Sequence, residues 1–271
     1  MRAEGELVAL VLAGSRRGEA DPVARAAGVP AKCLAPVGGR AMIARVVEAL
    51  AALPRFEKIL VAAGPELALE RQGELAPLIA AGRLVLRSPG ESPASSVLEA
   101  LDGLGDRALL VTTADHPLLT PAILEAFLSG AGAIPADVAV GLAPSEAVLR
   151  TAPATRRTWW RFRDGRFSGA NLFLLRGAAA RPAIFFWRRV EALRKRPWRI
   201  VRLFGLVDLV LYLSGLLTLD QAMARAGRIL GCKVAAVAIP IGEAAIDVDR
   251  PADLVLAEAL LARRASLGAA S

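Results

Sequence analysis

The feature that most restricts how this chain can fold is an alternation. Short, almost uninterrupted apolar runs recur along it, separated by stretches with helical spacing. "LVALVLAG" (7–14), "KILVAAG" (58–64), "RLVLRS" (83–88), "ALLVTTAD" (108–115), "ADVAVGLA" (136–143) and "KVAAVAIP" (233–240) each read as a strand. Such runs lack the apolar–polar alternation of a strand with one wet face, so they predict strands buried on both sides. Between them, "AMIARVVEALAAL" (41–53), the stretch from 65 to 81, "SSVLEALDGL" (95–104) and "TPAILEAFLSGA" (120–131) read as helices. The last carries a Thr120 N-cap with Pro121 at the first helical position. A terminal helix is expected after the loop that opens "DVDRPADLVLAEALLARRA". Strands and helices in this order predict an α/β fold with a largely parallel sheet covered on both faces.

Composition agrees with that class. The chain has 271 residues, of which 55% are apolar, mostly Ala, Leu and Val, and only 5% aromatic. That length supports one large domain with a substantial core. No internal repeat or Ser/Gly linker marks a second one, so a single domain over 1–271 with an insert at about 177–232 is expected. Cys33 and Cys232 lie far apart without CxxC spacing, which argues against a disulfide framework or zinc site and for a reducing, cytoplasmic compartment. The N-terminal "MRAEGELVALVLAG" reads as a first strand rather than a secretory leader.

Charge is unevenly spread. The chain carries a net +8, and between Arg181 and Lys233 eleven basic residues face three acidic ones, an excess equal to the whole. A field of that sign attracts phosphates, nucleic acid or an anionic bilayer. "RPAIFFWRRVEALRKRPWR" (181–199) can form a helix with Phe186, Val190 and Leu193 on one stripe. "IVRLFGLVDLVLYLSGLLTL" (200–219) has the length of a membrane span, but Arg202, Asp208, two glycines and Ser214 weigh against one. It reads first as a buried helical insert and second as an element lying on a membrane surface.

Three constellations carry chemistry. The first strand runs into Ala13-Gly14, where small side chains let a ligand approach the backbone, and then into Ser15, Arg16 and Arg17, with Lys32 further on. It is neither a Walker loop nor a dinucleotide fingerprint, and an ordinary loop with solvated arginines would look similar. In the second, "LLVTTADHPLLTP", Asp115 stands at the carboxyl end of an apolar strand, where open α/β sheets bind ligands, although a turn Asp before Pro117 is the plainer alternative. In the third, "AIDVDRPADLVLAE", Asp249 is expected to cap the following helix, which leaves Asp247 spare. Two aspartates from separate strand ends could share Mg²⁺, which takes one or two carboxylates plus substrate phosphates.

"LVLAGSRRG…PAKCLAPVGGRAMIARVVEAL", "TTADHPLL", "FSGANLFLLR" and "DVDRPADL", in this order, resemble the MobA-like nucleotidyltransferases, relatives of the molybdenum-cofactor guanylyl- and cytidylyltransferases and of the sugar-phosphate nucleotidylyltransferases. The resemblance covers about 7–175 and 233–262. It implies a GT-A-like three-layer α/β/α fold that binds an NTP over the first loop. It further implies that Ala13, Gly14 and Ser15 lie against the nucleotide, and that Arg16 and Lys32 meet its triphosphate. Asp115 and Asp247 would hold the metal, Asn171 would touch the acceptor, and Ser95 and Ser96 would lie near base or ribose. The family's "LAGGxGxR" is here "LAGSRRGEAD", and the 177–232 insert has no counterpart in the small molybdenum-cofactor enzymes.

The chemistry can also be built from charge. A phosphate monoester is largely dianionic near neutral pH, so as an acceptor it needs no general base. It needs charge neutralisation and in-line positioning against the α-phosphate of an NTP. The expected reaction is therefore Mg²⁺-dependent transfer of an NMP to a phosphorylated sugar, alcohol or acid, with pyrophosphate released. His116 reads as a turn residue, an acceptor contact or a general base. Alternatives are a GT-A glycosyltransferase using a nucleotide sugar, or a peripheral membrane protein whose NTP site has decayed. "TWWRFRDGRFSGAN" reads as a hairpin turning at Asp164-Gly165 rather than a nucleic-acid surface, so nucleic acid is not the expected partner. Peripheral contact with an anionic membrane through 181–219 belongs to the second reading of the insert.

Overall fold

The computed structural model describes residues 7–14, 21–193 and 206–268. It has the expected α/β architecture, a mostly parallel central sheet with helices on both sides. The chain forms two compact units, one built from 1–89, 112–124 and 246–271, the other from 90–111 and 125–245.

In the first unit β1 (Leu7–Leu12) runs parallel to β4 (Phe56–Ala62), and β4 parallel to β5 (Leu84–Arg87). Val8, Ala9, Leu10 and Val11 are each at most 1% exposed, which explains why their run shows no polar alternation. Helix α2 (Met42–Ala51) buries Met42, Ile43, Val46, Val47 and Leu50, and each such side chain withdrawn from water contributes roughly 1.5–3 kcal/mol. A hairpin of β2 (Pro36–Val37) and β3 (Arg40–Ala41) precedes it. Gly38 and Gly39, at φ +57° and +72°, make its turn, a conformation that favours glycine at both places. A Cβ on Gly38 would also lie 2.5 Å from the Arg45 guanidinium. That guanidinium donates to the Val37 carbonyl at 2.5 Å and the Gly38 carbonyl at 3.0 Å, while Glu258 accepts the Gly38 N–H at 2.8 Å.

Two differences from expectation fall in this unit. The loop after β1 contains a six-residue helix, α1 (Pro22–Ala27), in which Asp21 caps the N–H groups of Val23 and Ala24 and Gly28 ends the turn at φ +67°. The stretch 65–81, expected to be helical, forms 3₁₀ turns at Pro65–Leu67 and Leu69–Arg71 and only one short helix, α3 (Ala76–Ala80). Pro65, Gly73 and Pro77 interrupt the ladder a longer helix would need.

The second unit holds the start of β6 (Ala108–Thr113), β7 (Val138–Pro144), β9 (Gly165–Arg176) and β10 (Val234–Ala238). β9 is antiparallel to both β6 and β7, and β10 is parallel to β7. β8 (Trp160–Phe162) and β9 form the expected hairpin, with Phe162 opposite Gly165. Helix α4 (Pro93–Asp102) is linked to α7 (Arg181–Leu193) by an Arg181–Asp102 ion pair at 2.6 Å. Of 200–219, residues 200–205 lie outside the described chain, and α8 (Leu206–Leu213) stops at Ser214-Gly215, where Gly215 takes φ +67°. No helix among the described residues is long and apolar enough to cross a membrane.

Helix α9 (Leu219–Leu230), which the sequence reading missed, opens with a Thr218–Gln221 capping box. Asp164, in the hairpin turn, accepts the Leu219 N–H at 2.9 Å, and the Arg163 N–H donates to the Leu217 carbonyl at 2.8 Å. Leu142, Phe162, Phe167, Leu219 and Met223 share a core cluster, and Tyr212 meets Phe162 edge-on at 5.8 Å. One side of α8 is thereby packed. On the other, Val210 and Leu213 are exposed, as is Leu216 just beyond.

Candidate active site

The end of β6 enters the first unit, where the Ala114 N–H donates to the Leu12 carbonyl at 3.0 Å. Asp115 occupies the turn that follows. The loop 246–250 is fastened to this turn by a backbone hydrogen bond from Val248 N–H to the Asp115 carbonyl, 2.9 Å long. Two residues far apart in sequence thus share one ridge. The third component comes from the 3₁₀ turn Lys32–Leu34, closed by the Leu34 N–H on the Ala31 carbonyl at 3.0 Å. Lys32 Nζ donates to Asp115 Oδ2 at 2.5 Å and to Asp249 Oδ1 at 3.0 Å.

The cluster is half sheltered. The Lys32 and Asp115 side chains are 23% and 16% exposed, whereas Asp249 is 64% exposed. Burial alone would pull the Lys32 ammonium down, but the charge and hydrogen bond of Asp115, then those of Asp249, outweigh it and hold the group above its ordinary value. Lys32 is a fixed cation here. Asp115 Oδ1 is buried and has no hydrogen-bond partner, and Thr112 Oγ1 and Thr113 Oγ1 are likewise buried without one. Beside Lys32, burial pushes the Cys33 thiol up to about 11, which keeps it protonated and unsuited to nucleophilic work.

The sequence-derived residues divide as follows. The structure brings Lys32 and Asp115 together. Lys32's second carboxylate is Asp249, the residue expected to cap the helix, not Asp247, which is half-buried. The cap instead comes from Asp253, 4% exposed, whose Oδ2 accepts the Arg250 N–H at 2.9 Å and the Asp249 N–H at 3.3 Å from inside α10 (Pro251–Gly268). Because Asp253 sits three places into that helix, it can reach back to the chain before it, which frees the Asp249 side chain. The spacing of Asp253 from Pro251 is the signal that could have shown this.

Ala13 is buried, its N–H on the Ala62 carbonyl, and Gly14 is exposed with open space where a Cβ would stand. Ser15 and Arg16 lie outside the described residues. His116, 1% exposed, lies within the wall beside Asp115. In the second unit, Ser96 Oγ accepts the Gly90 N–H at 2.9 Å and donates to the Ser92 carbonyl at 3.3 Å. Ser95 lines a groove with Glu91, Glu99, Asp102, Phe185 and Arg188. Asn171 has φ +49° in the middle of β9, where the register against β7 jumps between Val140 and Leu142. A non-glycine residue held there costs of order 1–3 kcal/mol, the kind of strain that collects at functional positions. Among the described residues, no group of three or more acids, histidines or cysteines could hold a metal.

The family model for the MobA-like NTP transferase domain matches residues 9–197. The chain belongs to that family. As a MobA-like protein it is a nucleotidyltransferase, an enzyme that uses an NTP. Among solved structures it is similar to a hypothetical transferase from Thermus thermophilus, at 35% identity and a TM-score of 0.75, with 91% of this chain and 98% of that one covered. Two more distant structures share the fold. One is the 4-diphosphocytidyl-2C-methyl-D-erythritol synthase of Anaerococcus prevotii, at 11% identity, TM-score 0.56 and 95% and 98% coverage. The other is a CMP:2-keto-3-deoxy-manno-octonic acid synthetase complexed with CTP, at 17% identity, TM-score 0.53 and 97% and 100% coverage. No curated protein matches the chain.

Proposed function

We propose that this MobA-like enzyme transfers an NMP from an NTP to a phosphorylated small-molecule acceptor and releases pyrophosphate. The observation that carries this reading is the convergence of Lys32, Asp115 and Asp249 beside the end of β6. The donor set suits Mg²⁺, because both acids offer hard oxygens and Asp115 Oδ1 is buried without a hydrogen-bond partner. Bound there, Mg²⁺ would supply charge neutralisation for the triphosphate. Asp115 and Asp249 would hold it, and Lys32, which carries a positive charge, would offer its ammonium to the phosphate oxygens of the pyrophosphate. A phosphate monoester acceptor arrives already deprotonated. The site then needs no base, which agrees with His116 lying in the wall and Cys33 staying protonated. The strained backbone of Asn171 supports a role for that residue in acceptor contact.

A lipid-linked acceptor or product fits the insert. Val210, Leu213 and Leu216 are exposed within the most basic part of the chain, which supports peripheral contact with an anionic bilayer on the side where NTP is available. Flotation with anionic vesicles should carry the protein, and Leu213→Glu with Leu216→Glu should reduce that severalfold; equal flotation of both proteins removes the membrane from this reading.

The direct test measures pyrophosphate release for the four NTPs against phosphorylated sugars, alcohols and acids, with and without Mg²⁺. Release is expected with one NTP and one acceptor class, and only with the metal. Turnover of a nucleotide sugar, with no release from any NTP, would replace the reading with glycosyl transfer.

A further inference from the structure

Lys32 makes both of its hydrogen bonds to the two acids that the proposed reaction requires for a cation. Its ammonium, at 2.5 and 3.0 Å from Asp115 Oδ2 and Asp249 Oδ1, stands where a cation coordinated by those oxygens would stand, since Mg²⁺–oxygen distances are only about 2.0–2.1 Å. An ion bound through the unpartnered Asp115 Oδ1 instead would still lie on the same carboxylate as the ammonium. With Lys32 and Asp115 both mostly shielded from solvent, salt screens that repulsion poorly.

We propose that Lys32 is the resting counter-cation of the Asp115–Asp249 pair and excludes a free divalent ion from it until the phosphates of an NTP draw the ammonium away. The proposal rests on the reading of this cluster as the NTP site. Metal and nucleotide then load together: the phosphates give Lys32 an alternative anionic partner, and its departure exposes two carboxylates to the ion that the nucleotide brings. Neither the metal alone nor the nucleotide alone finds the site fully open. Binding linked in this way is reciprocal, so each partner raises the affinity of the other by the same factor.

The test uses the full chain and Mn²⁺ as probe, followed by electron paramagnetic resonance and calorimetry. Without nucleotide, Lys32→Met is expected to bind Mn²⁺ at least roughly tenfold more tightly than wild type. Lys32→Arg, which keeps the charge, should bind Mn²⁺ as weakly as wild type. With a non-hydrolysable NTP analogue present, wild type should acquire a protein-bound Mn²⁺ signal distinct from that of the Mn²⁺–analogue complex alone. Equal Mn²⁺ affinity of wild type and Lys32→Met, with that ternary signal intact, overturns the competition and leaves the NTP site standing. Absence of the ternary signal in wild type overturns both. Should Lys32→Met fail to fold, Lys32→Gln provides the same comparison.

Discussion

The Lys32 cluster and the Asp208–Arg225 pair are both ion pairs assembled by tertiary folding, yet they balance charge differently. Asp208 on α8 meets Arg225 on α9 one to one, at equal 31% side-chain exposure, and each satisfies the other. Lys32 faces two carboxylates, one of which keeps a buried oxygen without a hydrogen-bond partner. A balanced pair near the surface adds little energy and mainly fixes how two helices meet. A cluster left one negative charge in excess can take a further cation once Lys32 is drawn off its two acids. The contrast separates a fastening from a site, although both look alike as sequence.

Substitutions can break that contrast, and the largest effect should come from Asp115. Asp115→Ala is expected to lower turnover about 1,000-fold in a pyrophosphate-release assay while melting close to wild type. An active Asp115→Ala enzyme would mean the excess charge serves stability only. Next, Asp249→Ala should cost about 100-fold, more than Asp247→Ala. The reverse order would return the second acid to Asp247 despite the Lys32–Asp249 contact.

A pH series sharpens the comparison further. A lysine whose folded pKa lies above its unfolded value, near 10.4, stabilises fully below that value and loses its contribution as pH climbs through the folded one. The melting-temperature gap between wild type and Lys32→Met should therefore stay level from pH 7 to about 10 and narrow only above; a gap that closes near neutrality would contradict the raised ammonium. The smallest effect belongs to the balanced pair. A double-mutant cycle on Asp208 and Arg225 should give a coupling under about 1 kcal/mol with turnover unchanged.

Much of this could be read from the sequence, for identifiable reasons. β1, β4 and β7 were legible because strands buried on both faces must be continuously apolar, and α2 because its buried positions repeat at helical spacing. Lys32 and Asp115 were legible through the residues that flank them. The pairing of Lys32 with Asp249 was not, because it depends on which acid the first turn of α10 uses, and the buried Asp253 takes that role. Helix α9 was overlooked because its apolar face is narrow, although Thr218 and Gln221 announce its start. The break of α8 at Gly215 was hidden by hydropathy, which records length and not a left-handed turn.

The hydrogen bond from Val248 to the Asp115 carbonyl has a consequence for biosynthesis. Lys32 and Asp249 are separated by 217 positions, so the second acid leaves the ribosome long after the lysine and Asp115. A nascent or truncated chain lacking the 246–250 loop would present a one-to-one lysine–aspartate pair, already neutral and with little appetite for metal. The proposed site is whole only when the polypeptide's late segment has come home.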